Sequence, residues 1–478
     1  MALTSSLVPL YTLLLGLAVA PFAEGHGGDL YIAAGEAISE DPIMIAWGVI
    51  FPLGMVLGIV KSRWHVPVQS VGTVMSILGY FLGHMHGGRQ FRHNNVHAQF
   101  ASLISFLLFL QVAMGIYLKL HLEKGINGKI RPYFKIAHGI LGKSLPVLAW
   151  IQFVFGGITA LGFCQGDHIG QCLAHFIMGG AFIAYGIILT LLLLVGQLWL
   201  RRTGRSQEFF DSVVIAAWGC VNTFTEHRWG TDWVQKDWQH TAMGIMWWCA
   251  GLAGVWFSKD RDGRPQRNFI PGFVLLVTGW AMSSHPQDLP ISVESHKIFG
   301  YTLMGAGITR IIEICFVLRD RDSLSEDGRQ VNSFQYIPVF LLYASGFLFM
   351  GSNEEQLDLV ADSGLDHVAY VLILFSLAFM LFLFVNMLIN VYDRSANPEA
   401  QIKETANGRL GPRLNGNVPV RDAQEFELEG LMSDDDDDDG GRRQKERRVP
   451  DTPTEESGAR MALRDDESDV RFRVNRAE

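Results

Sequence analysis

The sequence predicts an all-α, polytopic transmembrane helical bundle of about eleven spans, followed by a disordered, charged tail. Three observations carry that expectation. Of the 478 residues, 49% are hydrophobic and only 18% charged, against roughly 25% charged in an ordinary soluble domain. The charges crowd after Arg394 and into short gaps, leaving long runs nearly charge-free, as hydrocarbon demands of any chain that crosses it. The Lys and Arg residues in those gaps also fall almost entirely on one side of the expected membrane.

At the N-terminus, residues 7–20 read LVPLYTLLLGLAVA. This is the apolar core of a secretory signal peptide over 1–23, or of an uncleaved signal anchor in the same place. Residues 24–41 then lie in the lumen or outside the cell. Apolar runs follow at about 42–60, 66–83, 97–120, 138–162, 174–198, 209–225, 240–257, 270–284, 294–318, 334–351 and 367–391. About twenty helical residues cross the hydrocarbon, so most runs qualify by length, and 209–225 and 270–284 are short. Parity argues for both. With eleven spans, the inner loops hold seventeen Lys and Arg residues and the outer loops only Arg89, Arg92, Arg228 and Lys236. Deleting either short span would put Lys259, Arg261, Arg264 and Arg267 outside, against the cytosolic preference of positive flanks.

The protein is therefore expected in a membrane of the secretory pathway (endoplasmic reticulum, vacuole or plasma membrane), with lipid as its surroundings. Residues 394–478 form the cytosolic tail, which is too rich in Asp, Glu, Arg and Gly to bury a core. Its run Asp434 to Asp439 supplies part of the formal net charge of −9. Nucleic acid is not an expected partner. Among the five cysteines, Cys164 and Cys172 flank one short loop and suit a disulfide if that loop is lumenal. Cys220, Cys249 and Cys315 lie in apolar runs, where a thiol acts as a small hydrophobe.

The fifteen histidines carry the functional signal. Twelve fall at or near the outer face, and His65, His121 and His138 face the cytosol. Imidazole ligates metals and titrates near neutrality, although His also tolerates membrane interfaces. His65 and His138 begin the second and fourth runs from the same side. They are expected at one depth, able to face one another and fill both axial positions of a haem. Gly72, Gly79, Gly139, Gly142 and Gly156 leave room for a flat macrocycle, and Lys143 stands near enough for a propionate. The same small residues equally serve close helix packing.

Three segments, IAWGVIFPLGMVLGIVKSRWHVPVQSVGTVMSILGYFLG, VHAQFASLISFLLFLQVAMGIYL and IAHGILGKSLPVLAWIQFVFGGI, resemble the four-helix core of the cytochrome b561 family. The resemblance implies haem b, held between histidines of alternate helices, with His65, His97 and His138 at matching positions. The first-helix ligand should fall near 41 or 42, where Asp41 and Pro42 stand instead. An intact inner pair, His65 with His138, is thus implied. At the outer site His97 lacks its usual partner, unless His26, His84, His86 or His93 substitutes. A bis-histidine iron has no open position, so the resemblance implies single-electron transfer, reductase-linked, with a small-molecule or protein electron donor.

The segments FTEHRWGTDWVQKDWQHTAMGIMWWCAG, GWAMSSHPQ, SHKIFGYTLMGAGITRIIEI and FQYIPVFLLYASGFLFMGSNEEQ resemble the C-terminal region of the fungal Ytp-type multispanning membrane proteins. The expected organisation is a b561-like region over 42–200 and a Ytp-type region over 209–391. In the second region Glu226, His227, His240, His285 and His296 gather at outer helix ends. They form a candidate zinc or copper site, with Asp232, Asp237 and Asp288 behind them. The rival reading is a water-facing vestibule with Trp229, Trp233 and Trp238 as interfacial anchors. Arg310 and Glu313, three residues apart in one span, are expected to neutralise one another toward the interior. Three functions stay open: a haem electron carrier, a metal-dependent membrane hydrolase or transporter, and a scaffold acting through its tail.

Overall fold

Each apolar run of the sequence becomes a helix, because in lipid a backbone must satisfy its own N–H and C=O groups. The computed structural model describes residues 42–85, 95–122, 124–227, 230–284, 287, 289–318 and 331–396. The signal segment, residues 24–41, His285 and nearly all of the tail lie outside the described residues.

In chain order the helices are α1 (Pro42–Ile59), α2 (His65–Met85), α3 (Val96–Lys119), α4 (Ile126–Leu161), α5 (Ile169–Leu194), the short α6 (Gln197–Thr203) and α7 (Gln207–Thr225). They continue as α8 (Gln235–Phe257), α9 (Ile270–Ser283), α10 (Pro290–Ile312), α11 (Tyr336–Met350), the short α12 (Glu354–Asp362) and α13 (His367–Ala396). Among the described residues no strand forms beyond one isolated bridge, Lys259 to Pro265. Among the described residues, seven helices are long and apolar enough to cross a membrane: α1, α3, α4, α5, α10 continued to Leu318, α11 counted from Ser333, and α13.

One boundary differs from the sequence expectation and matters for the site. The segment 126–137, expected as inner loop, is the first third of α4. Its cationic residues hide the helix from a hydropathy reading. The Tyr117 hydroxyl donates to the Asn127 carbonyl at 3.1 Å and Arg131 to the Leu118 carbonyl at 3.1 Å, tying the extension to the end of α3. His138 therefore lies about 18 Å inside its helix rather than at its start.

The main core centres on α11. Tyr343, Ala344 and Leu348 are wholly buried there among Leu303 of α10, Ile183 of α5 and Ala378 of α13. The Tyr343 hydroxyl also meets Thr190 Oγ1 at 2.9 Å. α5 thus packs with the C-terminal helices, although the sequence boundary near residue 200 had grouped it with the first four. Small residues let backbones close up where lipid supplies no hydrophobic drive. A Cβ placed on Gly279 of α9 would stand 2.5 Å from the Gly300 carbonyl oxygen of α10.

A smaller core of Ala46, Trp47, Phe51, Ile104, Leu145 and Ala149 joins the N-terminal helices. There α1 packs on α2, and α3 on α4. Val71, Phe81, Phe106 and Phe109 point outward, as side chains facing lipid would.

Candidate functional site

The N-terminal helices bring two predicted residues together. His65 opens α2, and His138 projects from α4. Their ring centroids lie 6.3 Å apart with the planes at 90°. His65 Nδ1 sits 2.7 Å from the Gly54 carbonyl, so it carries the proton and Nε2 carries the lone pair. On His138, Gln111 Nε2 approaches Nε2 at 3.5 Å and donates to the His138 carbonyl at 3.1 Å. His138 Nδ1 and Gln111 Oε1 are buried with no hydrogen-bond partner, a cost that a ligand would remove.

Two imidazoles bound trans to one metal, each nitrogen about 2.0 Å from the ion, place their centroids about 6 Å apart. The observed spacing meets that requirement. Glycines face both rings: a Cβ on Gly58 would lie 2.7 Å from His65 Nδ1, and one on Gly115 3.3 Å from His138 Cε1. The pair, the orphaned nitrogen and this cradle fit a planar bis-histidine group. Lys143 stands about 140° around α4 from His138 and so does not share its face.

His97, on the second residue of α3, meets α4 instead. Gln152 Nε2 lies 2.9 Å from His97 Nδ1 and donates to the His97 carbonyl at 3.1 Å. A Cβ on Gly156 would lie 3.3 Å from the same ring. The arrangement repeats that of His138. His97, Gln111 and Gly115 on α3 correspond to His138, Gln152 and Gly156 on α4, each 41 positions later. Because α3 and α4 run antiparallel, the glutamine of each helix reaches the histidine of the other. Sequence reasoning missed both glutamines, and the repeated His-to-Gln spacing of 14 was the signal for them.

In the second half the described members of the predicted metal set fall into pairs. Glu226, just past α7, lies 3.7 Å from His240 Nδ1 of α8. His227 Nδ1 bonds Asp237 at 3.0 Å and stacks on Trp233 at 4.0 Å, with Trp238 next at 4.5 Å. The His227 hydrogen bond holds the Asp237 carboxyl below its ordinary range. Burial, and then the Asp237 charge, push the Glu226 carboxyl up. These are two acid–imidazole pairs where α7 ends and α8 begins. His296 is not among them: it faces His175 of α5, with ring centroids 6.0 Å apart. Among the described residues, the one cluster of three or more metal-ligating groups is Cys164, Cys172 and Glu355, and there the cysteines are joined in a disulfide.

At the opposite end of the bundle the Arg310–Glu313 pair forms, at 2.7 Å, and is larger than expected. Arg310 also donates to Glu208 of α7 at 2.7 Å, and Arg267 reaches the same carboxylate at 3.1 Å. Gln335 donates to Glu313 at 3.3 Å, and the Tyr185 hydroxyl donates to Asp211. Glu208 is wholly buried, although it reads in sequence as a helix-start residue in a cytosolic gap.

A family profile described as "Protein YTP1-like, C-terminal" matches residues 148–393. A second, a domain of unknown function (DUF2427), matches residues 42–121. The chain is 47% identical over 244 residues to Protein YTP1 of Saccharomyces cerevisiae, an overlap covering 51% of this chain and 51% of that protein. The chain thus spans about half the length of that relative. An uncharacterized membrane protein of Schizosaccharomyces pombe is 23% identical over 434 residues, covering 65% of this chain and 84% of its own. An uncharacterized membrane protein of S. cerevisiae is 24% identical over 295 residues, covering 49% and 46%. No solved structure matches.

Proposed function

The chain belongs to the YTP1-like family, and from that premise we propose that it is an integral membrane haem-binding protein taking part in single-electron transfer. The observation that carries the reading is the 6.3 Å spacing of the His65 and His138 rings. A haem b held by His65 and His138 would supply a one-electron couple. The protein's part is orientation. Gly54 fixes the His65 tautomer through its carbonyl, the kind of outer contact that aligns a ligating imidazole. Gln111 holds the His138 backbone from α3.

The pair lies toward the cytosolic side by the charge distribution of the loops, so an electron donor or acceptor, a small molecule or a protein, would meet it from that side. A membrane of the secretory pathway and a cytosolic tail belong to the same reading. The acid–imidazole pairs support a metal-dependent hydrolase or transporter less well, because among the described residues no three of their ligand atoms come together.

The test is a reduced-minus-oxidised absorption spectrum of the full chain purified in detergent from haem-replete cells. The expected result is a bis-imidazole haem spectrum that His65→Ala and His138→Ala each abolish and His97→Ala keeps. A colourless wild-type preparation overturns the proposal.

A further inference from the structure

Apart from the histidine pairs, one group of metal-ligating atoms converges. The sulfurs of Cys164 and Cys172 and a carboxylate oxygen of Glu355 all lie within 4.8 Å of one another. α4 stops at Leu161, and the left-handed backbone of Gly162 and Cys164, with φ of 76° and 62°, turns the chain back. Cys172 stands in the first turn of α5, its Cα 5.2 Å from that of Cys164. Glu355 comes from a distant part of the chain, as the second residue of α12. Asn353 caps that helix, accepting from the Gln356 amide at 2.9 Å, and Leu357 and Val360 anchor it wholly buried. Its Leu359 packs against the small cluster of Ile158, Phe163 and Cys172. The Cys164 amide donates to Glu355 Oε2 at 2.6 Å, the kind of outer contact that holds a ligating carboxylate in place.

While the disulfide joins the two sulfurs, neither is a thiolate and neither ligates a metal. Reduction changes the chemistry of the group. A pair of small-molecule thiols supplies two electrons and two protons, leaves as its own disulfide, and converts the bridge to two cysteine thiols. An ionised carboxylate beside those sulfurs opposes their loss of protons, and a divalent cation favours it. Zinc then displaces the two thiol protons and gains two thiolates and one carboxylate.

The space suits that ion. Thiolates bound at about 2.3 Å to a tetrahedral zinc stand about 3.8 Å apart, and a carboxylate oxygen at about 2.1 Å stands about 3.6 Å from each. Both separations fall within the observed span. Among the described residues no fourth His, Cys, Asp or Glu joins the group, which leaves the fourth position to water. Cys164 and Glu355 are half-buried and give solvent access, whereas Cys172 is 2% exposed. The hard carboxylate favours zinc over monovalent copper.

We propose that Cys164, Cys172 and Glu355 form a redox-gated zinc site, closed while the disulfide stands and opened by a thiol reductant. It stands independently of the His65–His138 reading.

The test compares the full chain in detergent, oxidised and after phosphine reduction, in anaerobic competition with a chromophoric zinc chelator. Cys220, Cys249 and Cys315 are free thiols in both forms, so the difference belongs to the bridge. The reduced protein should hold one zinc more than the oxidised protein. Cobalt(II) in its place should show the thiolate charge-transfer band of a tetrahedral site. The double variant Cys164→Ser/Cys172→Ser should gain no zinc on reduction. Glu355→Gln still offers an oxygen to the Cys164 amide, which keeps the loop docked, and should bind the metal about tenfold more weakly or worse. Glu354→Gln should bind as the wild type does, and all variants should elute as the wild type does by size exclusion. Equal zinc in the two redox states, equal affinity in wild-type and Glu355→Gln protein, or an octahedral cobalt spectrum would each overturn the assignment.

Discussion

Replacing Arg310 by Met tests the charged cluster most directly. Arg310 is 8% exposed and makes two ionic hydrogen bonds of 2.7 Å, to Glu208 and to Glu313. Methionine keeps much of the volume and removes the guanidinium, so Glu313 loses its cation and Glu208 keeps only Arg267. Deleting one partner of a buried pair costs about 3–5 kcal/mol, because the other charge stays desolvated. At about 1.4 kcal/mol per decade, the folded-to-unfolded ratio falls by two to three and a half orders of magnitude. The assay is denaturation with sodium dodecyl sulfate in mixed micelles, followed by tryptophan fluorescence. The double variant Arg310→Met/Glu313→Leu removes charge of both signs and leaves Glu208 on Arg267 at 3.1 Å. Its loss should fall short of the sum of the single losses by about 0.5–3 kcal/mol, as for residues sharing one network. Arg310→Lys should lie between, since an ammonium does not present the two-sided fork that spans both carboxylates. A loss below about 1 kcal/mol for Arg310→Met, or strict additivity in the double variant, would refute the claim that these charges share one buried network.

Other consequences follow from local contacts. Gln111→Leu should lower haem occupancy or shift the reduced-minus-oxidised spectrum while Gln152→Leu leaves both unchanged, since only Gln111 touches His138; equal effects on the spectrum would count against the inner pair as the haem site. Gly346→Val should destabilise by about 1–3 kcal/mol or more, because its first added carbon would lie 2.6 Å from the Gly179 carbonyl oxygen; an unchanged thermal midpoint would contradict the close approach of α5 and α11. Maleimide labelling should modify three cysteines in denaturant and five after reduction, given the Cys164–Cys172 bridge and free Cys220, Cys249 and Cys315. Glu226 binds its proton more tightly folded than unfolded, so stability should fall as pH rises from its ordinary value of 4.5 toward the raised folded value. Glu226→Gln should remove that fall, and melting curves from pH 4 upward with the same slope in both proteins would dismiss the effect.

The sequence alone determined which apolar runs become helices, because that depends on local quantities. A run of apolar residues in lipid has one backbone solution, and the Lys and Arg counts in the gaps are independent of how helices pack. It also placed the Arg310–Glu313 pair, since three residues on one helix fix their separation. The sequence narrowed His65 and His138 to one side of the membrane. The reason it used was incomplete, since His138 sits a dozen residues inside α4.

Tertiary structure alone decided which imidazoles meet. His296 read as a partner of His227 and His240 because all three were expected at outer helix ends, but α10 packs on α11 beside α5 and so delivers His296 to His175. Glu208 looked like a cytosolic residue until α10 brought Arg310 to it. Apolar helix faces are nearly interchangeable to one another and to lipid, so hydropathy carries little record of which face seeks which. Close contacts between small residues such as Gly279 and Gly300 set those choices, and the buried polar pairs follow from them.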